Sequence, residues 1–307
     1  MIHPRRTGLA LALAAALISG VSVWINALAV KAVGDPVLYT TIKNVIAAVI
    51  LVTLTIAWTA RRPSGGFTRP AGGRQLLGLG FVGVFGGGVA FVLFFEGLAR
   101  TTASSAGFIQ KTLVIWVAIL AVSFLRERFG KAHVAAIALL LLGQIAVAGG
   151  FAMPALSTGE ALVFLATLIW SVEVVVAKRL LAGLSPLTIA CARMGIGAVG
   201  LIAFSIATGR AALLGSLGGE QWAWVALTGV VLSLYVGCWL SALARAQATD
   251  VTAVLVFGAV ITALLNSGGQ VTVLAPAAIG LTLIAIGTIA IARVATRSEG
   301  LIRQREM

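Results

Sequence analysis

The sequence predicts an all-α membrane protein of ten transmembrane helices, built as two inverted five-helix repeats. Three observations carry that prediction. First, hydrophobic residues make up 60% of the 307 and charged residues only 10%, against roughly 25% charged in a soluble domain. A bilayer absorbs that much apolar surface; a water-soluble core of this length does not. Second, ten apolar stretches approach the about 20 residues that cross a hydrocarbon core of ~30 Å. Third, local signals in the first five stretches recur, in order, in the second five.

The stretches run roughly over 8–30, 37–58, 76–99, 103–125, 132–150, 159–181, 187–208, 222–244, 250–267 and 276–293. Arg5 and Arg6 precede the first, whose apolar run is too long for a signal-peptide core and ends without a small-residue cleavage site. It reads as an uncleaved helix. The longest connector, Arg61 to Arg74, holds Pro63, Pro70 and several glycines and reads as a loop. The weakest boundary lies between the last two helices, at Asn266 to Gln270. Abundant glycine suits helices that approach closely in lipid. Gly83 and Gly87 form a small-xxx-small pair in the third helix, which reads as a packing seam or as a bending point.

With the N-terminus placed in the cytoplasm and ten crossings, sixteen Lys and Arg fall in cytoplasmic regions and three, Lys31, Arg100 and Arg210, in outer ones. Positive charge accumulates on the cytoplasmic side, so the bias predicts a multi-pass protein of the inner (plasma) membrane with both termini inside. The other three cations, Lys43, Lys111 and Arg193, lie within apolar runs.

The duplication shows in three places. Gly34-Asp35-Pro36 is followed by Lys43, and Leu184-Ser185-Pro186 by Arg193. Leu98-Ala99-Arg100 matches Leu243-Ala244-Arg245, and Gly143 matches Gly287. The offsets are 150, 145 and 144 residues, a register that drifts slowly. This divides the chain into a first repeat over 1–150 and a second over 151–307 that ends in a short basic tail. Five helices per repeat is an odd number, so the second copy enters the membrane from the opposite side. Inverted repeats of this kind are the architecture of secondary transporters, with a site at the repeat interface.

Other classes of function lack their residues. The net charge of +13 is spread singly or in pairs between apolar stretches, which is no nucleic-acid patch. Cys191 and Cys238 sit in apolar segments with no metal or disulfide spacing, and His3 and His133 form no cluster. No metal or cofactor is therefore expected. There is no Gly-Lys-Ser/Thr phosphate loop for ATP coupling. An intramembrane enzyme would need a Ser-His pair, an aspartyl pair or a His-Glu metal set within the helices, yet Asp35 and Asp250 stand near helix ends. A channel or a non-transporting scaffold does not need a path built within one duplicated chain. The reading is a transporter and not an enzyme, either monomer or homodimer.

The pattern over about residues 8 to 293 resembles the drug/metabolite transporter superfamily, in its ten-helix EamA-type exporter branch. The closest local likeness is Gly97-Leu98-Ala99-Arg100-Thr101-Thr102-Ala103-Ser104-Ser105-Ala106-Gly107, followed by Phe124-Leu125-Arg126-Glu127-Arg128-Phe129 and by Gly143. The family places a glutamate equivalent to Glu127 after helix nine, where this chain has Gln270 or Val271. The resemblance implies movement of amino acids, related metabolites or drugs by alternating access through a central cavity.

Ionisable residues in mid-membrane face the interior, pair, or line a wet cavity, because exposing them to lipid costs a few kcal/mol or more. Lys111 lies about 12 Å inside helix four at 1.5 Å per residue and reads as an anchor for a carboxylate or phosphate, or as a lysine paired to a carboxylate or to helix-end carbonyls. Glu173, about 22 Å into helix six, reads as a proton-coupling or ammonium-facing group, or as a partner of Lys178 or Arg179. Lys43 and Arg193 are repeat-equivalent and read as structural bridges, and Glu96 as an interfacial charge paired with Arg100. Trp222 and Trp224 fit an interfacial belt. Trp170 shares a face with Glu173, Tyr235 shares one with Trp239, and Trp24 and Asn26 lie deep in helix one. With Gln110 beside Lys111, the candidate substrate site is Lys111, Glu173, Trp170, Gln110, Trp24, Asn26, Tyr235 and Trp239. The expected activity is export of amino-acid-like or organic-anion metabolites, with protons as a candidate coupling ion. The alternative is export of lipophilic cations held by Glu173.

Overall fold

A computed structural model describes residues 4–61, 66–127, 129–147, 157–266 and 275–306. The duplicated motifs prove to be helix punctuation. Helix α1 (Pro4–Val33) stops at Gly34, which takes a left-handed φ of 82° while its N–H donates to the Val30 carbonyl at 3.1 Å. Asp35 then accepts from the Leu38 N–H at 2.7 Å and Pro36 opens α2 (Pro36–Arg61). Glycine after the helix end, a carboxylate cap and proline at the first position are each the residue that site favours. Ser185 and Pro186 do the same between α6 (Thr158–Leu180) and α7 (Pro186–Ala207), with Ser185 accepting from Thr188 N–H at 3.2 Å.

The other helices are α3 (Gly73–Arg100), α4 (Ser105–Leu125), α5 (Lys131–Val147), α8 (Gly219–Arg245), α9 (Ala248–Asn266) and α10 (Ala275–Glu306). Among the described residues, nine helices are long and apolar enough to cross a membrane, and α5 is a shorter apolar helix. The sequence expectation for α5 ran to residue 150, and residues 148–150 lie outside the described ones. So do His3, part of the expected loop at 62–65, and the expected break at 267–270, with Gln270 and Val271. The last helix extends beyond its expected end at 293, to Glu306.

Three helices are irregular. Helix α3 widens into π-helical turns over Val82–Val89, across its Gly86-Gly87-Gly88 run. Helix α4 tightens at Thr112, whose N–H bonds the Ile109 carbonyl at 3.1 Å, and α9 tightens at Val256 and Phe257. Thr112 and Phe257 are 145 residues apart, the offset of the nearby Arg100 and Arg245, so the two kinks are repeat-equivalent.

Packing between the halves comes in matched pairs. Helix α1 packs on α8 and α3 on α6; α1 packs on α9 and α4 on α6; α2 meets α7 and α5 meets α10. Small residues set the closest approaches. A Cβ on Gly197 would stand 2.9 Å from the Gly87 Cα, and one on Gly143 would stand 2.7 Å from the Gly280 carbonyl oxygen. Gly83 likewise abuts Ile196 and Ala192. The small-xxx-small pair of α3 is thus a seam against α7. Large apolar side chains such as Val49, Ile56, Val199 and Ile206 are exposed on the outer faces, where a bilayer would cover them.

Candidate functional site

Four residues of α1, Ser19, Ser22, Val23 and Asn26, form one stripe at helical spacing and line a central cavity. Trp24 falls off that stripe and does not line the cavity, which corrects its place in the expected site. Lys111, Gln110, Glu173, Trp170, Asn26, Tyr235 and Trp239, from four helices, do meet there. Phe91, Phe94 and Phe95 of α3 add an aromatic wall, with Phe94 against Trp170 at 5.3 Å between ring centroids. Tyr235 and Trp239 stack at 6.3 Å on the other side.

The cavity draws on repeat-related positions, two pairs of like chemistry and three of different chemistry. Ser22 and Glu173, Lys43 and Arg193, Gln110 and Leu255, Lys111 and Val256, and Phe94 and Trp239 all line it. The scaffold is duplicated, whereas Glu173, Gln110 and Lys111 have no counterpart of their own kind in the other repeat.

Lys43 and Arg193 were expected as structural bridges, and both line this cavity. Arg193 does bridge helices: its guanidinium forms an ion pair with Glu173, with Nη2 donating to Oε2 at 3.2 Å, and also donates to the Gly86 carbonyl at 3.3 Å. The partner of Glu173 is therefore Arg193. Lys178 and Arg179 instead donate to backbone carbonyls of Leu243 and Ala246 and of Phe124, at 2.7, 2.7 and 2.6 Å. The Trp170 indole N–H also donates to the Gly86 carbonyl, at 3.1 Å, so the widened turns of α3 supply an acceptor that serves both residues. The signal in the sequence was present: two repeat-equivalent cations, each seven residues inside a helix. What it lacked was the identity of their partners.

The two lysines differ from Arg193. Lys111 is 7% exposed and its ammonium donates to Ser19 Oγ at 3.2 Å. Lys43 is 1% exposed; its ammonium lies 3.9 Å from the Phe95 ring centroid and donates to Asn26 Oδ1 at 3.4 Å. Asn26 is itself held by Tyr39, whose hydroxyl donates to the same Oδ1, and donates to Ser22 at 2.9 Å. Among the described residues neither lysine has a carboxylate partner. Gln110 Oε1 is buried and accepts no hydrogen bond. The lining thus carries three cations against one carboxylate, and the carboxylate is already paired.

Polar clusters join the two halves at each end of the bundle. At one end Arg5 of α1 pairs with buried Asp250 of α9 at 2.7 Å, with His133 Nε2 at 3.5 Å from the same carboxylate. Glu127 accepts from the N–H groups of Ala248 and Thr249 at 2.6 and 3.1 Å, capping α9. At the other end Arg210 pairs with Asp35 at 3.1 Å and Glu96 at 3.4 Å, and Glu96 forms the expected ion pair with Arg100.

No curated protein matches the chain. A solved structure described as a crystal structure of protein matches with a TM-score of 0.69 at 22% identity, covering 92% of this chain and 97% of its own, and it supports the fold alone. The model of the EamA-like transporter family matches twice, over residues 6–149 and 157–293. A family of membrane transporters for small molecules accounts for the apolar helices, the duplication and a cavity drawn from both halves: the chain belongs to the EamA-like transporter family.

Proposed function

We propose that the chain is a secondary transporter that exports a small, acid-bearing metabolite across the plasma membrane by alternating access. In this reading ten helices form two inverted repeats with both termini in the cytoplasm. The matched packing pairs and the paired kinks of α4 and α9 support that arrangement, because a pseudo-twofold axis generates both.

The observation that carries the substrate class is Lys111, a buried ammonium in the cavity whose protein partner is one hydroxyl. Leaving a buried charge so thinly compensated is costly, and a substrate carboxylate would complete it with a charge-assisted hydrogen bond. Gln110 Oε1 offers an acceptor to a substrate N–H or O–H, which suits an amino acid or hydroxy acid. Glu173 is engaged by Arg193 and is poorly placed to hold a lipophilic cation, which the two lysines would also repel. Its proposed part is as the protonatable group, since protonation would weaken its hold on Arg193.

The test is counterflow of labelled carboxylates and amino acids in proteoliposomes holding the purified chain. We expect saturable exchange that Lys111→Met reduces at least tenfold while the variant remains monodisperse in detergent. Unchanged flux in the variant overturns the anchor, and exchange of organic cations alone favours the cation exporter.

A further inference from the structure

The cavity holds a second buried ammonium that a single acidic group on Lys111 does not use. Lys43 has no carboxylate partner among the described residues; aromatic rings and one long hydrogen bond hold it. Glu173 and Arg193 cancel one another, so the lining has two basic side chains in excess of its carboxylates.

Helix α1 measures the spacing. Lys111 bonds Ser19 and Lys43 bonds Asn26, and those partners lie seven residues apart on the same stripe. At 1.5 Å of rise per residue the two stations are about 10 Å apart along the helix. Taking that rise as the separation of the two ammonium groups, charge-assisted N–H···O contacts of about 2.8 Å at each end leave roughly 4–5 Å between two acceptor oxygens. That is the span of a short dicarboxylate of about four to six carbons. Ser22 lies between the stations on the same stripe, and Phe91 and Phe95 add ring surface to the cavity lining.

We propose that the substrate is an organic dianion, a short dicarboxylate held by Lys111 at one end and Lys43 at the other. This rests on the transporter reading above and narrows it. Lys43 is then a specificity residue, because it separates two-acid substrates from one-acid ones. Its aromatic surroundings hold the ammonium in place when the site is empty, and the second carboxylate replaces that weak support with an ion pair.

The experiment is equilibrium binding to the purified full chain in detergent, comparing succinate, glutarate and adipate with butyrate, pentanoate and hexanoate. We expect each dicarboxylate to bind at least tenfold more tightly than the monocarboxylate of equal carbon number. Lys43→Met should bring the dicarboxylates down to the monocarboxylate level. Lys43→Arg, which keeps the charge, should retain part of the preference. Equal binding of the two series by the native chain overturns the proposal, and that comparison needs no variant to fold. A preference that survives in folded Lys43→Met overturns it as well. Saturable counterflow of monocarboxylates with no dicarboxylate preference would remove the dianion and leave the transporter reading standing; absence of any carboxylate counterflow would remove both.

Discussion

Arg193 and Glu173, twenty residues apart on α7 and α6, are buried to 4% and 1% exposure and hold each other across the cavity wall. Removing one partner of such a pair costs about 3–5 kcal/mol, because the other charge stays buried without compensation. Arg193→Met should therefore lower thermal stability by that amount, and adding Glu173→Gln should recover most of the loss. A melting series over the single and double variants checks this, and a double variant no more stable than Arg193→Met contradicts the pairing. At this scale the sequence marked Arg193 and Glu173 and not their pairing. Glu173 has Lys178 and Arg179 close in sequence, but its backbone site on α6 turns it toward α7 and the cavity, while those two cations reach carbonyls at helix ends. Trp24 shows the reverse error: depth in a helix was legible, but facing depends on a rotation about the helix axis that Asn26, two residues on, satisfies and Trp24 does not.

Glycines set the element scale. The backbones of α3 and α7 touch through Gly87 and Gly197, which brings Arg193 and the Gly86 carbonyl together. Gly197→Val should force the two helices apart and cost about 1–3 kcal/mol in overpacking, with loss of transport. Gly195→Ala, on the same helix with nothing within 4 Å of the added methyl, should be neutral or slightly stabilising. Melting temperatures of the two variants decide it, and equal effects would contradict the seam. Helix existence, the repeated motifs at Asp35 and Ser185, and the small-residue pair Gly83–Gly87 were readable from local residues; that the motifs are caps and the pair a seam came with the structure. The widened turns of α3 and the kinks of α4 and α9 were not, since hydropathy does not distinguish an i→i+4 ladder from its π or 3₁₀ neighbours.

For the whole molecule, the proposed alternating access requires the two ends to open in turn. The cluster of Arg5, Asp250, His133 and Glu127 joins the halves at one end, and Arg210 with Asp35 and Glu96 joins them at the other. Asp250→Ala should favour the state open at the Arg5 end and Arg210→Ala the state open opposite. A cysteine placed at Ser19, in a chain with Cys191 and Cys238 changed to alanine, should react severalfold faster with an impermeant thiol reagent from the corresponding side in each variant. The same acceleration from both sides in both variants would contradict separate latches.

The sequence by itself determined the membrane class, the duplication, most helix boundaries to within a few residues and the family, because these rest on hydropathy and on spacing along one chain. It also named seven of the side chains that line the cavity, Lys111, Glu173, Gln110 and Asn26 among them, since an ionisable or amide group deep in an apolar helix has few other places to be. The tertiary structure alone decided that Arg193 neutralises Glu173, that Lys43 joins Lys111 in the cavity, and that Trp24 faces elsewhere. Those outcomes depend on how far each helix is rotated about its axis and how closely it approaches its neighbour. The contacts that set both come from residues far apart in the chain, such as Gly87 against Gly197 and Gly20 against Gly258.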